Sequence, residues 1–228
     1  MNRPYVFINV AVSADGKTDT FERRGAAISS AVDRWRVDEL RAAADAVMVG
    51  GNTLLHEDPR LTVKSAELRA ARVAKGLPEN PIKVGVVSRA ALKPEGDFLR
   101  AGPARRVIFT SMQTTTQQVQ ALAALGVEVY TSGEKRIDLA QALATLKSLG
   151  VERLMVEGGG TLNFELLRLG LVDELTVYVA PLLFGGDLAP TMAAGHGLVR
   201  SAAIPLKLVD VQVADEVGGL LIRYLLPK

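Results

Sequence analysis

Short apolar runs alternate with helix-like segments along most of the chain, and this alternation limits the fold more than any other feature. β-Branched and other apolar side chains follow one another, as is typical of buried strands, in residues 5–12, 45–50, 82–88, 106–111, 127–132 and 153–156. Apolar residues recur at helical spacing in residues 29–44, 115–126, 138–150 and about 161–169. This pattern predicts an α/β fold, with a mostly parallel twisted sheet flanked by helices.

The last part of the chain departs from the alternation. Two apolar runs within residues 206–227 are joined by a turn-forming segment, which predicts an antiparallel C-terminal hairpin. We find no internal repeat or low-complexity linker, so a single domain over residues 1–228 is predicted. Residues 65–80 are polar and are expected to form a surface excursion. In residues 29–44, Ser29 or Ser30 is the expected helix cap, and Trp35 is expected in the core.

The composition excludes several classes of function. Cysteine is absent and the only histidines are His56 and His196, so disulfides, thiol catalysis and metal sites built on cysteine or histidine are excluded, and no metal is predicted. The formal charge of +2 does not indicate nucleic-acid binding. No apolar run reaches the roughly 18 residues of a membrane span. The first residues lack the pattern of a signal peptide, so a cytoplasmic protein is expected.

The stretch LMVEGGGTLNFELL, residues 154–167, places an acid and three glycines between a predicted strand and a predicted helix. Glycines in this position permit either a tight turn or the approach of a phosphate to the backbone amides of a helix N-terminus. The spacing leaves these two interpretations about equal. Glu157 favours a ligand site, because the end of a parallel strand faces the ligand crevice. A buried structural acid is the alternative.

Two further segments carry polar residues within or directly after predicted strands. GGNTLLHEDPRLTVK, residues 50–64, also opens with glycines, and its polar side chains include Thr53, Glu57 and Lys64. It is either a strand end with a short capped helix and a turn, or a second wall of the same crevice. NVAVSADGKTDT, residues 9–20, contains Asn9 within an apolar strand, where a buried amide needs a partner. By itself, the sequence ADGK within this segment indicates only a turn.

Five segments in this order resemble one family: INVAVSADGK, LRAAADAVMVGGNTL, EDPRLTVK, LMVEGGGTLNFELL and VDELTVYVAPLLFGG. They look like the riboflavin-pathway pyrimidine reductases, which have a dihydrofolate-reductase-like fold and also form the C-terminal half of bacterial deaminase–reductase fusions. The resemblance implies NADPH-dependent reduction of the ribosylamino side chain of a diaminopyrimidinone 5′-phosphate to the ribitylamino form. It also supports a homodimer, which the edge strands of the predicted hairpin make plausible.

The resemblance also implies roles for individual residues. The positions that match cofactor contacts are Ala11, Ala27, Thr53, Glu57, Ser88, Gly158, Gly159, Gly160, Thr161 and Leu162. The positions that match substrate contacts are Asn9, Arg41, Leu61, Lys64 and Glu157, with Arg41 and Lys64 suited to the sugar phosphate. The catalytic candidates are Glu157, Asn9 and Asp15, of which Asp15 is expected to organise the site.

The chain also departs from the family pattern. The fusion-type reductases carry lysine where this chain has Asn9, so the chain resembles the archaeal and fungal branch. Glu57 stands in place of an aspartate, and Ala27 lies where an aromatic residue is frequent. The zinc deaminase half is missing, and no deaminase activity is predicted. The alternatives are a reductase of the same fold for a pterin or dihydrofolate-like substrate, and a non-catalytic nucleotide-binding module. Arg41 and Lys64 argue against dihydrofolate, which carries no sugar phosphate.

Overall fold

The computed structural model describes residues 2–227. The strands are β1 (Tyr5–Ser13), β2 (Ala46–Gly50), β3 (Ile82–Val87), β4 (Arg106–Thr110), β5 (Glu128–Thr131), β6 (Arg153–Val156), β7 (Glu174–Ala180), β8 (Lys207–Val213) and β9 (Leu220–Leu225). The helices are α1 (Ala31–Ala43), α2 (Ala66–Ala74), α3 (Asp97–Arg100), α4 (Thr116–Ala124), α5 (Leu139–Ser148) and α6 (Gly160–Arg168). There are also two single helical turns, at Thr53–Glu57 and Arg200–Ala202.

The first of two compact units consists of Met1–Tyr5 and Asp38–Met155. Its strands lie in the order β5-β4-β3-β2-β6, and β2, β3, β4 and β5 pair in parallel. Every residue of β2 is buried, as the uninterrupted apolar sequence of a parallel strand predicts. The carboxyl ends of β2 and β3 therefore lie side by side and present the residues that follow them at one edge.

The second unit consists of Val6–Val37 and Val156–Lys228. Here β1 pairs in parallel with β7, β7 pairs antiparallel with β9, and β9 pairs antiparallel with β8. The prediction of mostly parallel strands flanked by helices, with an antiparallel C-terminal hairpin, is confirmed. The single-domain expectation stays a prediction. Within residues 2–227, no helix is long and apolar enough to cross a membrane.

The structure corrects two expectations about helices. Residues 65–80 contain α2, whose N-cap Ser65 accepts a hydrogen bond from the Leu68 amide, so this segment is not merely a polar excursion. Ser30 Oγ accepts from the Asp33 amide at the start of α1, as predicted. The expectation of a core position for Trp35 is wrong, since its side chain is 47% exposed. The buried positions of α1 include Asp33 and Asp38, whose carboxylates are paired with Arg36 of the same helix and with the amides of Lys64 and Ser65, respectively.

Candidate active site

The glycine turn at residues 157–160 leads directly into α6. The N-cap residue is Gly159, which has no side chain that could cap this helix. The first hydrogen bond of the helix runs from the Asn163 amide to the Gly159 carbonyl. The amides of Gly160, Thr161 and Leu162 thus precede the intrahelical ladder and have no acceptor within it. Together with the helix dipole, these three N–H groups can receive an anion.

Backbone conformation and close contact explain the glycines of this turn. Gly158 has φ +101°, which L side chains rarely adopt, and the Gly158–Gly159 peptide is cis. At Gly160, an added Cβ would collide with the Thr191 carbonyl oxygen and lie 3.2 Å from the Ala194 Cβ. The Ala194 amide donates to the Gly160 carbonyl at 3.0 Å. The loop at residues 191–194 is thereby tied to the first turn of α6.

Glu157 is half-buried at the start of this turn. Gly158, which follows it, is buried, whereas Thr161 is exposed. The carboxylate therefore stands at the boundary between the buried strand end and the open N-terminus of α6. This position is compatible with the catalytic role that the resemblance implies, and that role remains a prediction.

Asp15 joins two loops of the second unit. Its carboxylate accepts hydrogen bonds from the Ser13 hydroxyl at 2.6 Å, the Gly185 amide at 2.7 Å and the Phe184 amide at 3.2 Å. These bonds, the Ser13 bond foremost, lower the pKa of Asp15 to about 2. An ionised carboxylate near neutral pH is an acceptor and does not supply a proton. The geometry thus favours the organising role expected for Asp15.

Ala11 and the segment before Ala27 lie near the loops that Asp15 joins. Ala11 packs, together with Ala26, against a small cluster that contains Ile28 and Tyr178. Asp19 holds the segment before Ala27 by accepting from the amides of Gly25 and Ala26, each at 2.9 Å. The structure therefore brings Ala11 and the residue preceding Ala27 together. Ala27 itself is exposed.

In the first unit, the three substrate candidates Arg41, Leu61 and Lys64 belong to one connected group. Arg41 Nη1 donates to the Thr62 carbonyl at 3.2 Å. Asp38 accepts from the Lys64 and Ser65 amides at 2.7 and 2.8 Å, which fixes the backbone of Lys64 while its side chain remains exposed. Leu61 is only 1% exposed.

Thr53, Glu57 and Ser88 are cofactor candidates in the same unit. Thr53 follows β2 and Ser88 follows β3, so both lie at the carboxyl edge of adjacent parallel strands. Glu57 is exposed at the end of the turn Thr53–Glu57. Asp58, next to it, has a structural role, because its carboxylate accepts from the Asp97 and Phe98 amides at 2.7 and 2.9 Å and so holds the start of α3.

The convergence of these candidates on a common ligand stays a prediction. Sequence reasoning missed the acids Asp33 and Asp38 and the base Arg36, which position the candidates or their segments. It noted Asp58 beside Glu57 but not the contacts by which this carboxylate holds the start of α3. No signal in the sequence distinguishes Asp33 and Asp38 from the other charged residues of this helix. Among residues 2–227, no group of three or more metal-ligating side chains is close enough to hold a metal ion.

A family model described as the RibD C-terminal domain matches residues 4–217. The chain belongs to this family. A 2,5-diamino-6-ribosylamino-4(3H)-pyrimidinone 5′-phosphate reductase from Archaeoglobus fulgidus is 43% identical over 202 residues, which cover 89% of this chain and 91% of the relative. The reductase of the same name from Methanothermobacter thermautotrophicus is 42% identical over 223 residues, covering 97% of this chain and 98% of the relative.

Comparison with solved structures establishes the fold. A pyrimidine reductase-like protein from Corynebacterium diphtheriae matches with a TM-score of 0.82 at 20% identity, over 100% of this chain and 93% of the other. Dihydrofolate reductase from Enterococcus faecalis matches with a TM-score of 0.53 at 14% identity, over 98% and 97% of the two chains. At these identities the matches establish the fold, and the predicted dihydrofolate-reductase-like fold is confirmed.

Proposed function

We propose that this protein reduces the ribosylamino side chain of a diaminopyrimidinone 5′-phosphate to the ribitylamino form in riboflavin biosynthesis, with NADPH as the cofactor. The observation that carries the proposal is the family match over residues 4–217, together with two relatives, 43% and 42% identical, that are named for this reductase. The family match crosses both compact units, which also supports a single reductase domain.

The start of α6 supports a site for the diphosphate of the cofactor. The amides of Gly160, Thr161 and Leu162 lack intrahelical acceptors, and the N-cap residue Gly159 has no side chain that could cap them. A Cβ at Gly160 would collide with the loop that closes on this turn, so glycine is required for the geometry. These residues fit a nicotinamide dinucleotide, which, when bound, supplies the hydride of the reaction. Thr53, Glu57 and Ser88 remain proposed as cofactor contacts from the family resemblance.

The basic group of the first unit supports recognition of the sugar phosphate. Arg41 is anchored to the Thr62 carbonyl, and Asp38 fixes the Lys64 backbone, so both cations belong to one braced segment. A guanidinium can bind two phosphate oxygens at once, and an ammonium group adds a compact charge. A fixed backbone lowers the entropic cost of placing the flexible lysine side chain.

The proposed chemistry requires positioning and one proton. The ribosylamine opens to an imine, the former anomeric carbon accepts a hydride, and the side-chain nitrogen gains a proton, which gives the ribitylamine. We assign Glu157, half-buried beside the glycine turn, to a contact with the reacting imine or the pyrimidine nitrogens. Asn9 is assigned to the substrate as well. Asp15 keeps the neighbouring loops in place, which is an orienting role.

A homodimer is part of the proposal, with β8 at the contact between the two copies. Strand β8 lies at the end of the strand order next to β9, and all of its residues are exposed. Leu208, Val209, Val211 and Val213 are apolar, and an exposed apolar edge strand readily pairs with another chain. Val211→Lys should therefore shift the mass measured by light scattering towards the monomer, whereas an unchanged mass would place the contact elsewhere. A cytoplasmic location, where NADPH is available, belongs to the same proposal.

The test of the proposed function is NADPH oxidation, followed at 340 nm, with the ribosylamino phosphate as substrate and dihydrofolate as the control. We expect turnover only with the ribosylamino phosphate, and no turnover with saturating NADPH would refute the proposal. Lys64→Ala should raise the substrate KM about tenfold or more by removing a charged contact, with the affinity for NADPH nearly unchanged. Lys75→Ala, which removes another exposed lysine of the same unit, is the matched control.

Glu157→Gln separates binding from chemistry. The amide retains the shape of the carboxylate but cannot exchange a proton, so the variant should bind NADPH normally and lose most of its turnover. NADPH binding is measured by fluorescence titration and turnover by the same optical assay. A variant with the turnover of the original protein would remove Glu157 from its proposed role.

A further inference from the structure

The amide side chain of Asn9 is held from one side by an arginine. Asn9 lies in β1 and is 6% exposed. Arg36, in α1, donates from Nη2 to Asn9 Oδ1 at 2.8 Å. Among residues 2–227, this is the one hydrogen bond of the Asn9 side chain. Both residues belong to the second unit, so the contact lies within one compact body.

Arg36 is itself fixed by Asp33 of the same helix. Its Nε and Nη2 atoms donate to Asp33 Oδ1 at 2.9 and 2.6 Å. Asp33 is 2% exposed, and its backbone amide donates to the capping hydroxyl of Ser30 at 3.1 Å. The carboxylate is thus locked in the first turn of α1, and the planar guanidinium that pairs with it has a set direction.

This arrangement decides which end of the Asn9 amide is available to a ligand. A guanidinium has only N–H donors, so the atom that faces it must be the carbonyl oxygen of the amide. The flipped amide would place N–H groups against N–H groups at a largely buried position, which is unfavourable. Nδ2, with two N–H donors, is the end that remains, and it has no acceptor among the described residues.

We propose that Arg36 is a positioning residue that makes Asn9 a hydrogen-bond donor to the substrate. The substrate atom beside Asn9 is then an acceptor, either an oxygen or an unprotonated ring nitrogen. The inference rests on the proposed function and explains one departure from the family pattern. A lysine, which the fusion-type reductases carry here, is also a pure donor. Asparagine supplies the same N–H function only if a neighbour prevents the amide from flipping, and Arg36 is that neighbour.

The decisive variant is Asn9→Asp, which keeps the shape of the side chain and replaces the donor by an acceptor. The carboxylate can still accept the hydrogen bond from Arg36, so the variant should fold, which its thermal unfolding checks. The substrate KM should rise about tenfold or more, with the affinity for NADPH within about twofold of the original. A merely structural link between Asn9 and Arg36 predicts instead that Asn9→Asp keeps its substrate KM, and that result would overturn the inference.

Variants at Arg36 test the positioning role directly. Arg36→Met retains the length but loses the donors, and we expect the substrate KM to rise about fivefold or more while NADPH binding is kept. Arg36→Lys restores a donor and should recover most of the loss, which a general packing defect would not do. Arg34→Met is the matched control, because Arg34 lies on the same helix, is exposed and donates to the Ser29 carbonyl.

The outcomes separate the two proposals. If the original protein does not oxidise NADPH with the ribosylamino phosphate, the proposed function fails and this inference fails with it. If the original protein is active and both Asn9→Asp and Arg36→Met retain its substrate KM, only the inference fails. If Arg36→Met does not fold, Arg36→Lys and Asn9→Asp still decide the question, since each retains a partner for the neighbouring group.

Discussion

Replacing Gly160 by alanine puts a methyl group into the contact between α6 and the loop at residues 191–194. The new Cβ would collide with the Thr191 carbonyl and lie 3.3 Å from the Ala194 nitrogen. Inserting a methyl group into a filled contact costs about 1–3 kcal/mol. The 3.0 Å bond from the Ala194 amide to the Gly160 carbonyl is also at risk. Its loss adds about 1 kcal/mol.

The expected effect has two parts. A total of about 2–4 kcal/mol corresponds to a fall in melting temperature of about 4–16 °C for a chain of this size. Because relief of the contact displaces the amides of residues 160–162, the affinity for NADPH should also fall about tenfold, which corresponds to about 1.4 kcal/mol. Thermal unfolding by circular dichroism and a fluorescence titration with NADPH measure the two effects.

Gly150→Ala is the control for this experiment. Gly150 follows α5 in the other unit, has φ +90° and would place its Cβ in open space. Alanine at such a φ costs about 1–2 kcal/mol of backbone strain. The control should therefore lower the melting temperature without changing the affinity for NADPH. If Gly160→Ala melts like the original protein, or binds NADPH equally well, the assignment of this turn to close packing and phosphate binding is refuted.

Two further predictions concern pH. The pKa of Asp15 is lowered to about 2, below its value in the unfolded chain, so its contribution to stability is present above about pH 4 and is lost as the pH falls towards 2. Asp15→Asn should lack this part of the acid dependence when urea unfolding is compared between about pH 5 and 2.5. Parallel curves for the two proteins would contradict the assignment. Burial lowers the pKa of Lys83 to about 8, so the unfolded chain binds more protons than the folded protein between about pH 8 and 10. Stability should therefore rise over this pH range in the original protein but not in Lys83→Met. Equal slopes of melting temperature against pH in the two proteins would refute the role of this buried lysine.

The secondary structure could be predicted largely from the sequence, because its determinants are local. Uninterrupted apolar runs became β1 to β4, and the segment ending in Gly150 became α5. The same applies to the glycine turn, since Gly158 has the positive φ that only glycine tolerates readily. The site candidates came from the motifs that the chain shares with the family. The local pattern failed for α2, whose short capped helix lies in a segment that appeared only polar.

The tertiary structure decided which side of each element is used. Periodicity alone would bury Trp35, yet α1 buries Asp33 and Asp38, whose carboxylates meet a guanidinium and two amides of the segment at residues 64–65. The partners of Asp38 are distant in sequence, and a buried charge is tolerated only where its partners are in place. For the same reason, sequence established that position 9 is an asparagine, while only the folded contact with Arg36 determined which end of its amide is offered to a ligand.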